Sequence, residues 1–359
     1  MKPIATKVLA ALAAYLISTA GAQTLDIYFI DVEGGQSTLI VTPEKETLLV
    51  DTGFAGNGTS GVAGDPHQSR DARRIEAAAR DAGVDHIDAL LITHFHADHV
   101  GGVVELAQLL PIHTFIDHGS LIGGADVHAQ MDLNVFNAYM PVRAKGRHIE
   151  PQPGDRLPLK GVEAIVVSSA GATIKQPLAG AGGANPACNS PPLPPGDVHE
   201  NPRSTGFRLT YGKFKFLDIG DLSGDPLAAL ACPNNLVGPV DVYLVAHHGA
   251  ADVADAATFA AFQPRVAIVN NGARKGGMRE LFKRLHMVKG LEDVWQLHRS
   301  LIAGPENYPD ERIANLDESS AHWLKLSAKA DGSFRILNAR TGQWTSYPAP
   351  TASTQRGGG

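Results

Sequence analysis

Short apolar or alternating runs recur along the chain, separated by turns that carry Gly, Pro or Asp. Residues 25–31, 37–42 and 47–51 are β-rich runs divided by Gly34-Gly35 and Pro43-Glu44-Lys45, a pattern that predicts an antiparallel meander. Residues 71–81 predict a helix, with Ile75 and Ala77-Ala78-Ala79 set on an Arg-rich background. Residues 87–93 are almost continuously apolar, as in a strand buried on both faces. Residues 100–110 have the length and period of a helix, and 112–116 return to strand. The second half repeats this logic. Strands 207–211 and 214–219 flank the hairpin dipeptide Gly212-Lys213, followed by strand 240–246, helix 254–262, strand 266–270 and helix 278–285. A last pair, 323–327 and 333–337, turns through Asp331-Gly332. Two β-then-α halves of similar size predict one α/β domain, a sandwich of two mixed sheets with helices outside.

Three stretches stand apart. Residues 1–22 have a positive start at Lys2 and Lys7, an apolar run of ten residues from Val8 to Ile17, and Ala20-Gly21-Ala22 before a cleavage point. These are the parts of a secretory signal, and the run is too short to cross a bilayer, which takes roughly 20 apolar residues. The expectation is an exported chain, periplasmic or extracellular, with no membrane anchor after cleavage. Residues 168–202 form a Gly-, Ala- and Pro-rich insertion too long for a simple connection, either a lid over the site or a surface excursion. Residues 348–359 read as a disordered tail, leaving 23–347 as the domain.

Charge narrows the partners. The chain of 359 residues has 31 Lys and Arg against 37 Asp and Glu, a formal charge of −6, and losing Lys2 and Lys7 with the leader makes it −8. There is no basic surplus to hold long nucleic acid, so the expected substrate is a small molecule. Export also changes the reading of Cys188 and Cys232, the two cysteines of the chain: in an oxidising compartment a lone pair is expected to be a disulfide.

The chemistry concentrates in Thr93-His94-Phe95-His96-Ala97-Asp98-His99-Val100-Gly101-Gly102, which follows a buried strand and precedes a helix. Its polar side chains emerge at a strand's carboxyl end, where α/β sheets place their sites. Three imidazoles and a carboxylate within six residues suit a divalent metal such as zinc, in a chain with 15 His among 359 residues.

This block resembles that of the metallo-β-lactamase fold hydrolases. Asp51 in Leu48-Leu49-Val50-Asp51-Thr52-Gly53 looks like the family's bracing Asp, Asp221 in Leu217-Asp218-Ile219-Gly220-Asp221 like its metal-bridging carboxylate, and Val245-Ala246-His247-His248-Gly249 like the end of its site. Within the superfamily the likeness is nearest to the branch of the competence-protein nuclease domain and the bacterial phosphorylcholine esterase. Phe29-Ile30-Asp31-Val32-Glu33-Gly34-Gly35-Gln36-Ser37 resembles that branch's opening strand and turn. Glu200-Asn201-Pro202-Arg203-Ser204 resembles its Asn/Ser element, standing where other members carry a third metal-binding His; His199 is adjacent. The resemblance implies a four-layer αββα sandwich and two divalent ions, zinc first with manganese or iron as alternatives. His94, His96 and Asp221 would hold one, and Asp98, His99, Asp221 and one of His247 or His248 the other, with a hydroxide between them. Residue order does not choose between His247 and His248.

Asp98 and His118 are the candidate catalytic residues, His118 as proton donor to the leaving group from Asp117-His118-Gly119. Asn201 and Ser204 are candidate substrate-binding residues, as are Asn271 and Arg274 in Asn270-Asn271-Gly272-Ala273-Arg274-Lys275, which could bind an anionic group. The expected function is hydrolysis of phosphodiester or phosphomonoester bonds. Hydrolysis of carbon esters, thioesters, lactones or β-lactams on the same site is the alternative, and a non-catalytic binding domain a second.

Overall fold

The computed structural model describes residues 23–58, 63–122, 129–189, 194 and 196–350. The expected leader and residues 351–359 of the expected tail lie outside the described residues. The chain first lays down β1 (Leu25–Phe29), β2 (Thr38–Val41) and β3 (Thr47–Val50) as an antiparallel meander. Helical crossovers then add β4 (Ile87–Leu91), β5 (Ile112–Ile116) and β6 (Arg147–Ile149) in parallel, as they must when successive strands run the same way. The crossovers are α1 (Arg70–Asp81), α2 (Ala97–Val100) with α3 (Val103–Leu109), and α4 (Ala129–Arg143).

The second sheet holds β7 (Glu163–Ser169), β8 (Ala172–Thr173), β9 (Gly206–Tyr211), β10 (Phe214–Asp218), β11 (Val242–Leu244), β12 (Val266–Val269), β13 (Asp293–His298) and β14 (Ile313–Asn315), parallel from β10 to β14. Its helices are α5 (Gly224–Ala231), α6 (Ala256–Phe262) and α7 (Arg279–Leu285). The chain then returns to the first sheet with β15 (Leu324–Ala328), β16 (Phe334–Asn338) and β17 (Gln343–Tyr347), docking β15 against β1.

Three apolar layers define the sandwich. Phe29, Leu48, Val50, Phe207, Phe216, Trp295 and Leu324 pack between the sheets, each large side chain contributing about 1.5–3 kcal/mol by leaving water. Ile75, Ala79, Leu106 and Tyr139 pack helices onto the first sheet, and Leu227, Phe259, Phe262 and Phe282 onto the second. The architecture is the expected αββα sandwich of two mixed sheets.

The expected helix over 100–110 is interrupted. Gly101 and Gly102 separate α2 from α3 because the chain at Thr52–Ala55 lies against them: a Cβ at Gly101 would meet the Ala55 nitrogen at 2.7 Å, and one at Gly102 the Thr52 oxygen at 2.3 Å. At the start of the expected tail, the Pro348 carbonyl accepts a hydrogen bond from Arg265. The insertion is tied into the domain at its described ends. Ser168 and Ser169 belong to β7, Ala184 bridges to Asn234, and Cys188 is disulfide-bonded to Cys232 with Cα atoms 5.7 Å apart.

Candidate metal centre

The carboxyl ends of β3, β4, β10 and β11 converge, and each delivers one piece of the site. Asp51 follows β3, the His94 to His99 loop follows β4, Asp221 follows β10, and His247 and His248 follow β11. Asp98, His99, Asp221 and His248 form one buried group whose ligand atoms all lie within 4.8 Å of one another. Asp221 Oδ2 is its hub, 3.2 Å from His99 Nε2, 3.2 Å from His248 Nε2, 4.0 Å from His94 Nε2 and 3.9 Å from His247 Nε2. His96 joins through His94, their Nδ1 and Nε2 atoms 2.9 Å apart.

Neighbours fix the direction in which several rings face. Asp51 is fully buried and accepts hydrogen bonds from the Thr93 amide and hydroxyl at 2.7 Å each. Its Oδ2 also lies 2.7 Å from His99 Nδ1, which leaves the His99 Nε2 lone pair facing Asp98, Asp221 and His248. Burial pushes the Asp51 carboxyl up, while His99 and Thr93 pull against that rise. The Asp51 backbone is left-handed at φ +60, which lets one residue end β3 and turn its carboxylate under the metal loop. Ser204 Oγ lies 3.5 Å from His94 Nδ1 and accepts the Asp221 amide at 3.2 Å, so it stands behind two ligands.

The electrostatics call for cations. Burial alone would push Asp98 and Asp221 up; Lys275 and His99 hold Asp98 well below the usual carboxylate range, and His248 and His99 do so for Asp221. Burial, with His99 and His96 beside it, pushes His94 down, favouring the neutral ring that ligates a metal. Asp221 Oδ1 and His248 Nδ1 are buried without a hydrogen-bond partner. Opposed lone pairs at 2.9 Å (His94 and His96) and 3.2 Å (His99 and His248), around two ionised carboxylates, fit divalent ions in number and donor type.

His118 Nε2 lies 3.1 Å from Glu200, whose carboxylate also accepts the amides of Phe95 and Ile122. His118 therefore stands behind the His94-Phe95-His96 turn, paired with Glu200. Asn201 Nδ2 donates to His247 Nε2 at 3.2 Å. Asn271 is fully buried and donates to the carbonyls of Gly272 and His298, bracing its own loop. Arg274 is exposed and pairs with Glu318, while the adjacent Lys275 reaches Asp98. His199 donates its amide to Asp197 while its carbonyl accepts Arg203.

Sequence reasoning missed Glu200 as a brace, Asp252 on His247, and Gln36, whose amide donates to Asp218 at 3.1 Å behind Asp221. Asp252 lies five residues after His247, a spacing that carried no signal without the turn between them. A second His and carboxylate group, Asp31, Glu33 and His298, already pairs with Arg74 and serves to join the ends of β1 and β13.

Residues 30–171 match the metallo-beta-lactamase superfamily. A metal-dependent hydrolase from Herpetosiphon aurantiacus is 35% identical over 75 residues, 21% of this chain and 24% of that protein. The chain thus spans about a quarter of the length of the curated relative it matches. Among solved structures, the metallo-beta-lactamase fold protein YhfI from Bacillus subtilis covers 76% of this chain and 96% of its own, at 14% identity and a TM-score of 0.45. A diphosphatase of the PhnP family covers 85% and 98% at 12% identity and 0.38. A metallo-beta-lactamase from Cronobacter sakazakii, a mutant of its HARLDQ motif, covers 61% and 75% at 15% identity and 0.34.

Proposed function

We propose that this chain, whose residues 30–171 match the metallo-beta-lactamase superfamily, is a dinuclear metal-dependent hydrolase of phosphodiester or phosphomonoester bonds. The observation that carries this reading is Asp221 Oδ2, one buried carboxylate oxygen within 4.0 Å of imidazole nitrogens from both sheets. His94 and His96 would hold one ion, Asp98, His99 and His248 the other, and Asp221 both. When bound, such a pair supplies an ionised water near neutral pH and a clamp on attacking and leaving oxygens, which suits phosphoryl transfer.

The chain's own residues prepare the site for that chemistry. Asp51 and Thr93 hold His99 and the loop in place, Glu200 holds the Phe95 amide, and Ser204 holds the Asp221 amide. The Lys275 ammonium at Asp98 gives the rim a positive charge that would attract an anionic ester. The acidic balance of the chain favours a small ester over long nucleic acid, and the apolar run before Ala22 supports export to the periplasm or beyond. No helix among the described residues is long and apolar enough to cross a membrane.

The test is metal content by plasma mass spectrometry beside turnover of bis-nitrophenyl phosphate, nitrophenyl phosphorylcholine, nitrophenyl acetate and nitrocefin. The expected outcome is two ions per chain with turnover confined to the phosphoesters. Two ions with turnover of the acyl substrates alone would move the assignment to carbon esters or β-lactams, and no metal with no turnover would leave a binding domain.

A further inference from the structure

Resting on the dinuclear reading, we propose that His247 is the third histidine ligand of the ion held by His94, His96 and Asp221, filling the position that the Asn201 to Ser204 segment leaves without a histidine. His248 and His247 then serve different ions, and neither is a spare.

His248 belongs to the compact group with Asp98, His99 and Asp221, 3.1 Å from Asp98 and 3.2 Å from Asp221. His247 lies outside that group, yet its Nε2 comes to 3.9 Å from the same Asp221 oxygen that His94 approaches at 4.0 Å. The two rings are 6.2 Å apart between centroids at 61°. The backbone is bent to achieve this: His247 and His248 are consecutive left-handed residues, at φ +48 and +51, a conformation costly for side chains with a Cβ and concentrated at functional sites.

The tautomer of His247 is set as a metal ligand's would be. Its Nδ1 lies 2.8 and 3.0 Å from the two oxygens of Asp252, so that nitrogen carries the proton and the Nε2 lone pair is aimed inward. Asp252 is itself boxed in, because Gly196 passes so close that a Cβ there would stand 2.0 Å from Asp252 Oδ2. The competing ligand is Asn201. Its Nδ2, a donor, faces His247 Nε2, while its oxygen is buried without a partner. An amide presenting its donor to that lone pair cannot ligate a cation in that orientation.

The experiment measures zinc stoichiometry and affinity by chelator competition on the full chain, in a His113→Ala background. His86, Asp88 and His113 form a separate group, the first two half-buried and His113 exposed, that could otherwise add its own metal. The parent chain is expected to hold two ions. H247A should keep one and bind the second at least about 100-fold more weakly, D252N should weaken the second by about 10–100-fold, and N201A should leave both unchanged. X-ray absorption should count about 2.5 imidazoles per zinc in the parent and about 2 in H247A, because five histidines share two ions in one and four in the other. Two ions of unaltered affinity in H247A would overturn the assignment, as would loss of an ion in N201A, which would give the position to the amide. Should H247A not fold by circular dichroism, D252N with unaltered affinity overturns it. A parent chain with fewer than two ions would instead remove the dinuclear reading on which this assignment rests.

Discussion

Asp221 carries more of the site than any other side chain, since four imidazole nitrogens approach one of its oxygens. Asp221→Ala should lose at least one ion and nearly all turnover while the far-ultraviolet spectrum stays native; two retained ions would remove the shared role. A few residues away, burial pushes the Asp218 carboxyl up to about 7, against hydrogen bonds from the Gly220 amide and Gln36. The folded state therefore binds a proton that the unfolded chain, with the ordinary value near 3.8, has already released. By linkage this group makes the fold less stable as pH rises from near 4 to near 7. In metal-free protein, Asp218→Asn should stand closer to the parent at pH 4 and gain on it toward pH 8; equal denaturant midpoints for the two at every pH would contradict that. Residues of this kind were only half legible. The His94 to His99 block announces itself by residue type and spacing, and Asp51 by its likeness to a family motif. Asp252, Glu200 and Gln36 are ordinary polar residues whose roles exist only once distant segments meet.

The elements were most legible where pattern and burial agree. Strand β5 has the bounds its apolar run predicts, and α1 and the meander agree within a residue or two. Helix α4 was missed because Pro141 and a mixed surface hide its stripe of Val135, Tyr139 and Val142. Strands β6, β8 and β14 have only two or three residues each and owe their form to neighbours rather than to propensity. The break between α2 and α3 has a cause no periodicity shows, the approach of the Thr52 carbonyl to Gly102. Gly102 has ordinary helical φ, −77, so the constraint is space alone. Gly102→Ala should cost about 1–3 kcal/mol in denaturant unfolding by overpacking, although alanine is the better helix former. Metal affinity should fall with it, since Thr52 donates both amide and hydroxyl to the His99 carbonyl.

At the scale of the whole molecule, the ligands come from both sheets, from His94 on one to His248 on the other. Metal binding and folding are then one linked equilibrium. At free zinc about 100 times its dissociation constant, the fold should gain about 2.7 kcal/mol, and chelation should lower the melting temperature accordingly. The disulfide acts separately. It closes a loop with a sequence separation of 44, for which chain entropy predicts a stabilisation of about 4 kcal/mol, so Cys188→Ser with Cys232→Ser should lose up to that amount with metal stoichiometry intact.

The return of β15 to the flank of β1 has a consequence for how the chain comes into being. Leu25 pairs with Ala328, so β1 leaves the ribosome long before the strand that covers its outer edge has been made. Until then β1 is a bare edge beside a growing chain, a place for mispairing or for a chaperone to hold. A nascent chain stopped before Leu324 would carry every metal ligand named above and still lack the strand that closes its first sheet.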